Sequence, residues 1–133
     1  MHGGYDTHEN QIHDLDNGNF PELDDALDGF FAALTNAQDV VVMIWTEFGR
    51  RAASNNGGTD HGRPNNVVLA GPRVNGGLYG AQPSLADAAL DGDGNLVGSV
   101  EFGSVYTDVI TNFLGGDAAT ILGATYPTIG AES

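Results

Sequence analysis

Residues 39–51 read DVVVMIWTEFGRR, and the fold turns on how this stretch is read. From Val40 to Trp45 the chain is apolar and rich in β-branched residues, without alternation. That is the pattern of a central strand covered on both faces, with Trp45 in the core. Immediately upstream, PELDDALDGFFAALTNA at 21–37 predicts an amphipathic helix. Leu23, Ala26, Leu27, Phe30, Phe31 and Leu34 recur at helical spacing, while Asp24, Asp25 and Asp28 face water. Pro21 and Glu22 suit its first turn, where a missing N–H costs little and the helix dipole favours negative charge. Helix followed by buried strand is half of a βαβ unit. The predicted class is therefore α/β, a small layered sheet fragment with flanking helices, in one domain over 1–133.

Downstream, residues 46–66 are polar and rich in glycine and asparagine, which predicts a loop. Val67 to Ala70 is a second short strand, and 72–80 (PRVNGGLYG) a turn-rich connection. DGDGN at 91–95 has part of the spacing of a calcium loop. Leu96 replaces the glycine such a loop wants next, and Phe102 stands where its glutamate should be, so an Asp-Gly turn is the better reading. SVYTDVITNFLGG at 104–116 predicts a helix with Val105, Tyr106, Val109, Ile110, Phe113 and Leu114 as its stripe and Gly115 beyond its end. A short helical turn is expected from Asp117, and the tail from Tyr126 to Ser133 looks loosely held.

Four Lys+Arg stand against 18 Asp+Glu, a formal charge of -14, so no basic footprint exists for nucleic acid or an anionic membrane. The acidity favours a hydrated, self-repelling surface and is compatible with hard cations. No cysteine is present, which removes thiolate metal sites and disulfides. No apolar run approaches the length of a membrane span, and residues 1–5 do not read as a signal peptide.

Two clusters carry chemistry: Asp6-Thr7-His8 and Thr59-Asp60-His61-Gly62. Each pairs a carboxylate with an imidazole, the donor set of Zn²⁺, Mn²⁺ or Fe when the ligands converge. In an extended Asp-x-His stretch alternate side chains share one side, so Asp6 and His8 can address one ion. Asp60 and His61 are adjacent and need a turn to converge, which Gly57-Gly58 would allow. Ligands in open α/β sheets gather beyond the carboxyl ends of strands, where Glu47, Arg50, Arg51, Asp60 and His61 would sit. His2 and His13 read as exposed rather than ligating.

DTHENQ, a helix, a VVVM strand into TEFGRR, then GGTDHG and NGGLYG resemble, in that order, the C-terminal part of a bacterial family of uncharacterised sulfatase-like proteins. That family belongs to the alkaline phosphatase superfamily and is generally exported with a twin-arginine signal, which implies a periplasmic or extracellular setting. TDHG is also similar to the metal-binding Asp-His of phosphatases and metal-dependent phosphoglycerate mutases. The resemblance implies that Asp60 and His61 ligate one metal of a pair, and Asp6 and His8 the other. Against the family pattern the expectation is a truncated domain, without the early metal-binding aspartate and the position of the covalent nucleophile.

The chemistry expected of what remains is simpler. Asp6, His8, Asp60 and His61 would hold a single divalent ion (Zn, Mn or Ca). The ion would polarise a carbonyl or phosphoryl group and bring the pKa of its water toward about 7. Glu47 or His13 would serve as base, and Arg50 or Arg51 would stabilise the developing oxyanion. A small-molecule phosphoester, sulfate ester, carboxylic ester or lactone all fit. The competing reading is a non-catalytic remnant or binding module, with the same residues as structural ligands and Arg50 and Arg51 paired to carboxylates. In either case an exposed sheet edge predicts self-association, or completion by a missing N-terminal portion.

Overall fold

The computed structural model describes residues 4–131 and is a mixed α/β chain with small antiparallel sheets. A helical run opens it: α1 (Gln11–Asp14), a π turn (Leu15–Asn19) and α2 (Phe20–Ala33). Pro21 explains the π turn. It has no N–H to give to the carbonyl four residues back, and its ring crowds that carbonyl, so the helix widens just before it. The apolar stripe of α2 is half-covered at best, and none of its residues is buried. The whole chain exposes 8652 Å², where a folded monomer of 13.8 kDa would expose about 6600 Å².

Strand β1 (Val42–Ile44) falls inside the predicted apolar run, and β4 (Val68–Ala70) matches the second predicted strand. They pair antiparallel, Val42 with Ala70 and Ile44 with Val68. The half βαβ unit expected from helix and strand is thus not continued by a parallel neighbour. Every residue of β1 is half-buried, and Trp45 is 53% exposed rather than in the core. A two-stranded ladder has only one covered side to offer, and the apolar run exceeds what it can bury.

The larger departure lies in 46–66, where a loop was expected. Strands β2 (Gly49–Asn55) and β3 (Gly58–Gly62) form a hairpin. Asn56 (φ 35°) and Gly57 (φ 101°) connect them, and positive φ at both central residues is the turn whose twist matches a two-residue hairpin. Arg50 pairs with His61 and Ser54 with Thr59, so a bulge sets Arg51, Ala52 and Ala53 opposite the single residue Asp60.

The buried apolar residues, Val105, Ile110, Ala118 and Ala131, belong to the C-terminal part. There α3 (Phe102–Asp108) continues into a π turn (Val109–Phe113), Gly115 takes a positive φ, and α4 (Ala118–Leu122) follows. Asp117 caps α4 by accepting the Thr120 amide, as its position suggests. Of the predicted stripe, Val105 and Ile110 are buried, but Leu114 is 70% exposed.

The tail, expected to be loose, is tied down as far as Ala131. Asp108 is fully buried and accepts the amides of Gly130 (3.3 Å) and Ala131 (2.9 Å) together with Asn112 Nδ2 (2.9 Å). The Ala131 carbonyl in turn accepts the Asn75 amide at 2.8 Å. Residues 91–95 form the predicted turn, with Asp91 Oδ1 accepting the amides of Asp93 (3.0 Å) and Asn95 (2.8 Å). Arg63 pairs with Asp91 at 3.2 Å and Asp93 at 3.4 Å, so a guanidinium occupies the charge that a calcium ion would need.

Candidate metal centre

The hairpin and the segment before α1 build the site together. Residues 5–8 lie against β3 at a separation that only glycine permits. A Cβ on Gly58 would stand 2.3 Å from the His8 carbonyl oxygen. The Gln11 amide donates to the Gly57 carbonyl (3.0 Å), and Thr59 Oγ1 donates to Gln11 Oε1 (3.2 Å). Tyr5 anchors the other end through its hydroxyl to the Asn19 carbonyl at 3.1 Å. Thr7 turns inward and is buried, whereas Asp6 and His8 on either side of it are exposed, the alternation of an extended chain.

Arg50 fastens these parts. Its guanidinium donates to the carbonyls of Thr59 and Tyr5, each at 2.7 Å, and lies 3.6 Å from Asp6 Oδ1. Its donors are thereby turned to backbone, which suits positioning better than the oxyanion role expected of it.

At the centre stands Asp6 Oδ1, with His61 Nε2 at 2.6 Å and His8 Nε2 at 3.0 Å. Asp6, His8 and His61 each offer a ligand atom, and all three atoms lie within 4.8 Å of one another. A tetrahedral ion with bonds of about 2.0–2.2 Å spaces its donors by about 3.4 Å, so His61 and His8 each need part from Asp6 Oδ1 by less than about 1 Å to share one. The Asp6 carboxyl is held below the usual carboxylate range. The hydrogen bond from His61 is the largest cause, and partial desolvation opposes it. The charges of His61, His8 and Arg50 add to the lowering.

Phe48 lies flat on the His61 ring, with centroids 4.0 Å apart and planes 6° from parallel. The Arg50 guanidinium sits 5.0 Å from the Phe48 centroid. The imidazoles of His8 and His61 are themselves neighbours at 4.9 Å.

Of the four predicted ligands, the structure gathers Asp6, His8 and His61 and leaves Asp60 outside. The reason is local. Asp60 and His61 follow one another in a strand, so the turn that would have made them converge on one ion is absent. Asp60 Oδ1 faces the other nitrogen of His8, Nδ1, at 3.5 Å, and accepts Asn55 Nδ2 at 2.5 Å. Glu47 is exposed and outside the cluster. Arg51 is exposed, with Nε donating to the His61 carbonyl at 3.3 Å. His13 is exposed beside Asp14, as expected, while His2 lies outside the described residues.

Sequence reasoning missed Phe48 and Asn55. The Asn56-Gly57 pair was the available signal, because a hairpin turn there brings Arg50 and Asn55 to the same ladder as His61, with Phe48 just before it.

The mixed α/β chain presents a carboxylate and two imidazoles to solvent, His61 on the hairpin and Asp6 and His8 on the segment before α1, in an arrangement that could hold a metal ion. By sequence the chain belongs to the DUF1501 family, described as proteins of unknown function, whose model matches residues 1–96 and so takes in the whole cluster. No curated protein and no solved structure matches it.

Proposed function

We propose that the protein is a metal-dependent hydrolase acting on an ester-type bond, with one divalent ion held by Asp6, His8 and His61. The observation that carries this reading is the approach of their three ligand atoms to within 4.8 Å of one another. Two imidazoles and a carboxylate with a fourth position open match the ligand pattern of catalytic zinc sites, whereas structural sites close all four positions. All three residues are exposed, so water and a small substrate can reach the open position. Bound there, the ion would supply Lewis acidity toward a carbonyl or phosphoryl oxygen and acidify a water. The resemblance to sulfatase-like proteins supports the ester class.

Arg51, exposed beside His61, is the cation best placed to meet an anionic substrate. Arg50 holds the residues 5–8 segment to the hairpin instead.

A second reading, an ion-binding module without turnover, is favoured by one observation. Two clefts among the described residues, one lined by Asp16, Phe20, Pro21 and Asp24 and one by Ser99, Glu101, Ser104 and Thr128, contain no residue of the cluster. Assays with chromogenic phosphate, sulfate, acyl-ester and lactone substrates, before and after chelation, separate the two. Chelator-sensitive turnover that Asp6→Ala abolishes supports the hydrolase. Metal binding with no turnover on any of these substrates leaves the module.

A further inference from the structure

We infer that Asp60 is an outer carboxylate of this centre, held by Asn55, that orients His8 through Nδ1 so that its Nε2 is directed to the ion. The inference rests on the metal reading above and deepens it.

The two nitrogens of His8 face two different carboxylates. Nε2 is 3.0 Å from Asp6 Oδ1, on the side where His61 Nε2 also points. Nδ1 is 3.5 Å from Asp60 Oδ1, across the ring. The imidazole therefore stands between Asp60 and the other donors, and Asp60 cannot join them without displacing His8. At 3.5 Å the contact is long for a hydrogen bond and needs to close by about 0.5 Å to become a good one. The incentive to close comes with the ion. Once Nε2 gives its lone pair to a cation, the remaining ring N–H sits on Nδ1 and is made a stronger donor, and the nearby carboxylate accepts it. Metal-ligating histidines almost always donate their second N–H in this way.

Asn55 fits the same role one step further out. Its Nδ2 donates to Asp60 Oδ1 at 2.5 Å, while its own Oδ1 is buried without a hydrogen-bond partner. The amide is thus committed to Asp60 even though its oxygen is left unsatisfied. The hairpin register puts Asp60 within reach, because Asn55 pairs with Gly58, two residues before Asp60 on β3.

An outer carboxylate and a fourth ligand predict different behaviour from Asp60→Asn. Its side-chain oxygen still accepts a hydrogen bond from Nδ1, but it is a poor metal ligand. The experiment loads Co²⁺ into the wild type, Asp60→Asn, Asp60→Ala and His61→Ala, recording the visible ligand-field spectrum and measuring affinity by titration. For Asp60→Asn we expect the wild-type spectrum and an affinity within about tenfold of the wild type. For Asp60→Ala we expect that same spectrum with affinity reduced about 10–100-fold, the usual effect of losing an outer partner. His61→Ala, which removes a ligand, should change the spectrum and serves as the control. A spectrum altered by Asp60→Asn as it is by His61→Ala would make Asp60 a ligand, overturning this inference while leaving the metal reading intact. A wild type that takes up no Co²⁺ would overturn both.

Discussion

Asp6 Oδ1 receives His61 Nε2 at 2.6 Å, and this contact joins a residue before the first helix to one in β3, 55 positions later. The cluster exists only because the hairpin folds back onto the segment that precedes α1. Asp6→Ala and His61→Ala should each lower Zn²⁺ affinity by more than about 100-fold, beyond the loss of an outer partner. Both side chains are exposed, so the circular dichroism spectrum of the metal-free protein should not change.

Gly58 sets the spacing between the two halves of the site. A methyl group there would meet the His8 carbonyl at 2.3 Å, and backbone cannot move aside as a side chain can. Gly58→Ala should cost about 1–3 kcal/mol in urea unfolding, the range for overpacking. It should also weaken Zn²⁺ binding, because His8 is displaced from Asp6. Gly29→Ala, where the added methyl meets nothing within 4 Å and the backbone is helical, is the control and should be neutral or slightly stabilising.

Acid should loosen the protein in a definite direction. The carboxyls of Asp6, Asp91 and Asp117 are all held below their usual range. Hydrogen bonds from His61, from the Asn95 amide and from the Thr120 hydroxyl are the respective largest causes. A depressed folded pKa gives stability that is present above the unfolded value and lost as pH falls through the folded one. The melting temperature should therefore hold above the usual carboxylate range and drop as the pH falls below about 4. Asp91→Asn should melt lower at neutral pH and show a shallower drop in acid.

Asp108 and Leu27 should rank opposite to their chemical types. Asp108 is fully buried and satisfies two backbone amides of the tail, so Asp108→Ala should cost about 2–4 kcal/mol while leaving Zn²⁺ affinity unchanged. Leu27 belongs to the half-covered stripe of α2, and Leu27→Ala should fall well short of the roughly 2–5 kcal/mol of a core leucine. Chemical denaturation of the two variants side by side checks the order.

These contrasts show which features local pattern made legible. The helix over α2, the strands at Val42–Ile44 and Val68–Ala70, the α3 helix with Gly115 past its end, and the Asp117 cap all follow from periodicity or capping chemistry. Asp6, His8 and His61 were legible as donors by residue type. What local pattern could not supply was pairing. The polar, glycine-rich composition of 46–66 hid a hairpin because its strands carry few apolar residues, and only Asn56-Gly57 marked the turn. Missing the hairpin made Asp60 and His61 look like partners on one ion, when the strand holds only His61 in the cluster. The apolar run to Trp45 suggested a core that a two-stranded ladder does not provide. The tail looked loose because its anchor, Asp108, is a single carboxylate some twenty residues away in sequence.

The most direct test of the central claim is the metal content of protein purified without an affinity tag, measured by inductively coupled plasma mass spectrometry after incubation with Zn²⁺, Mn²⁺ or Ca²⁺ and removal of excess. The account predicts about one ion per chain in the wild type and none in Asp6→Ala. No bound ion in the wild type, or equal amounts in both proteins, would contradict it.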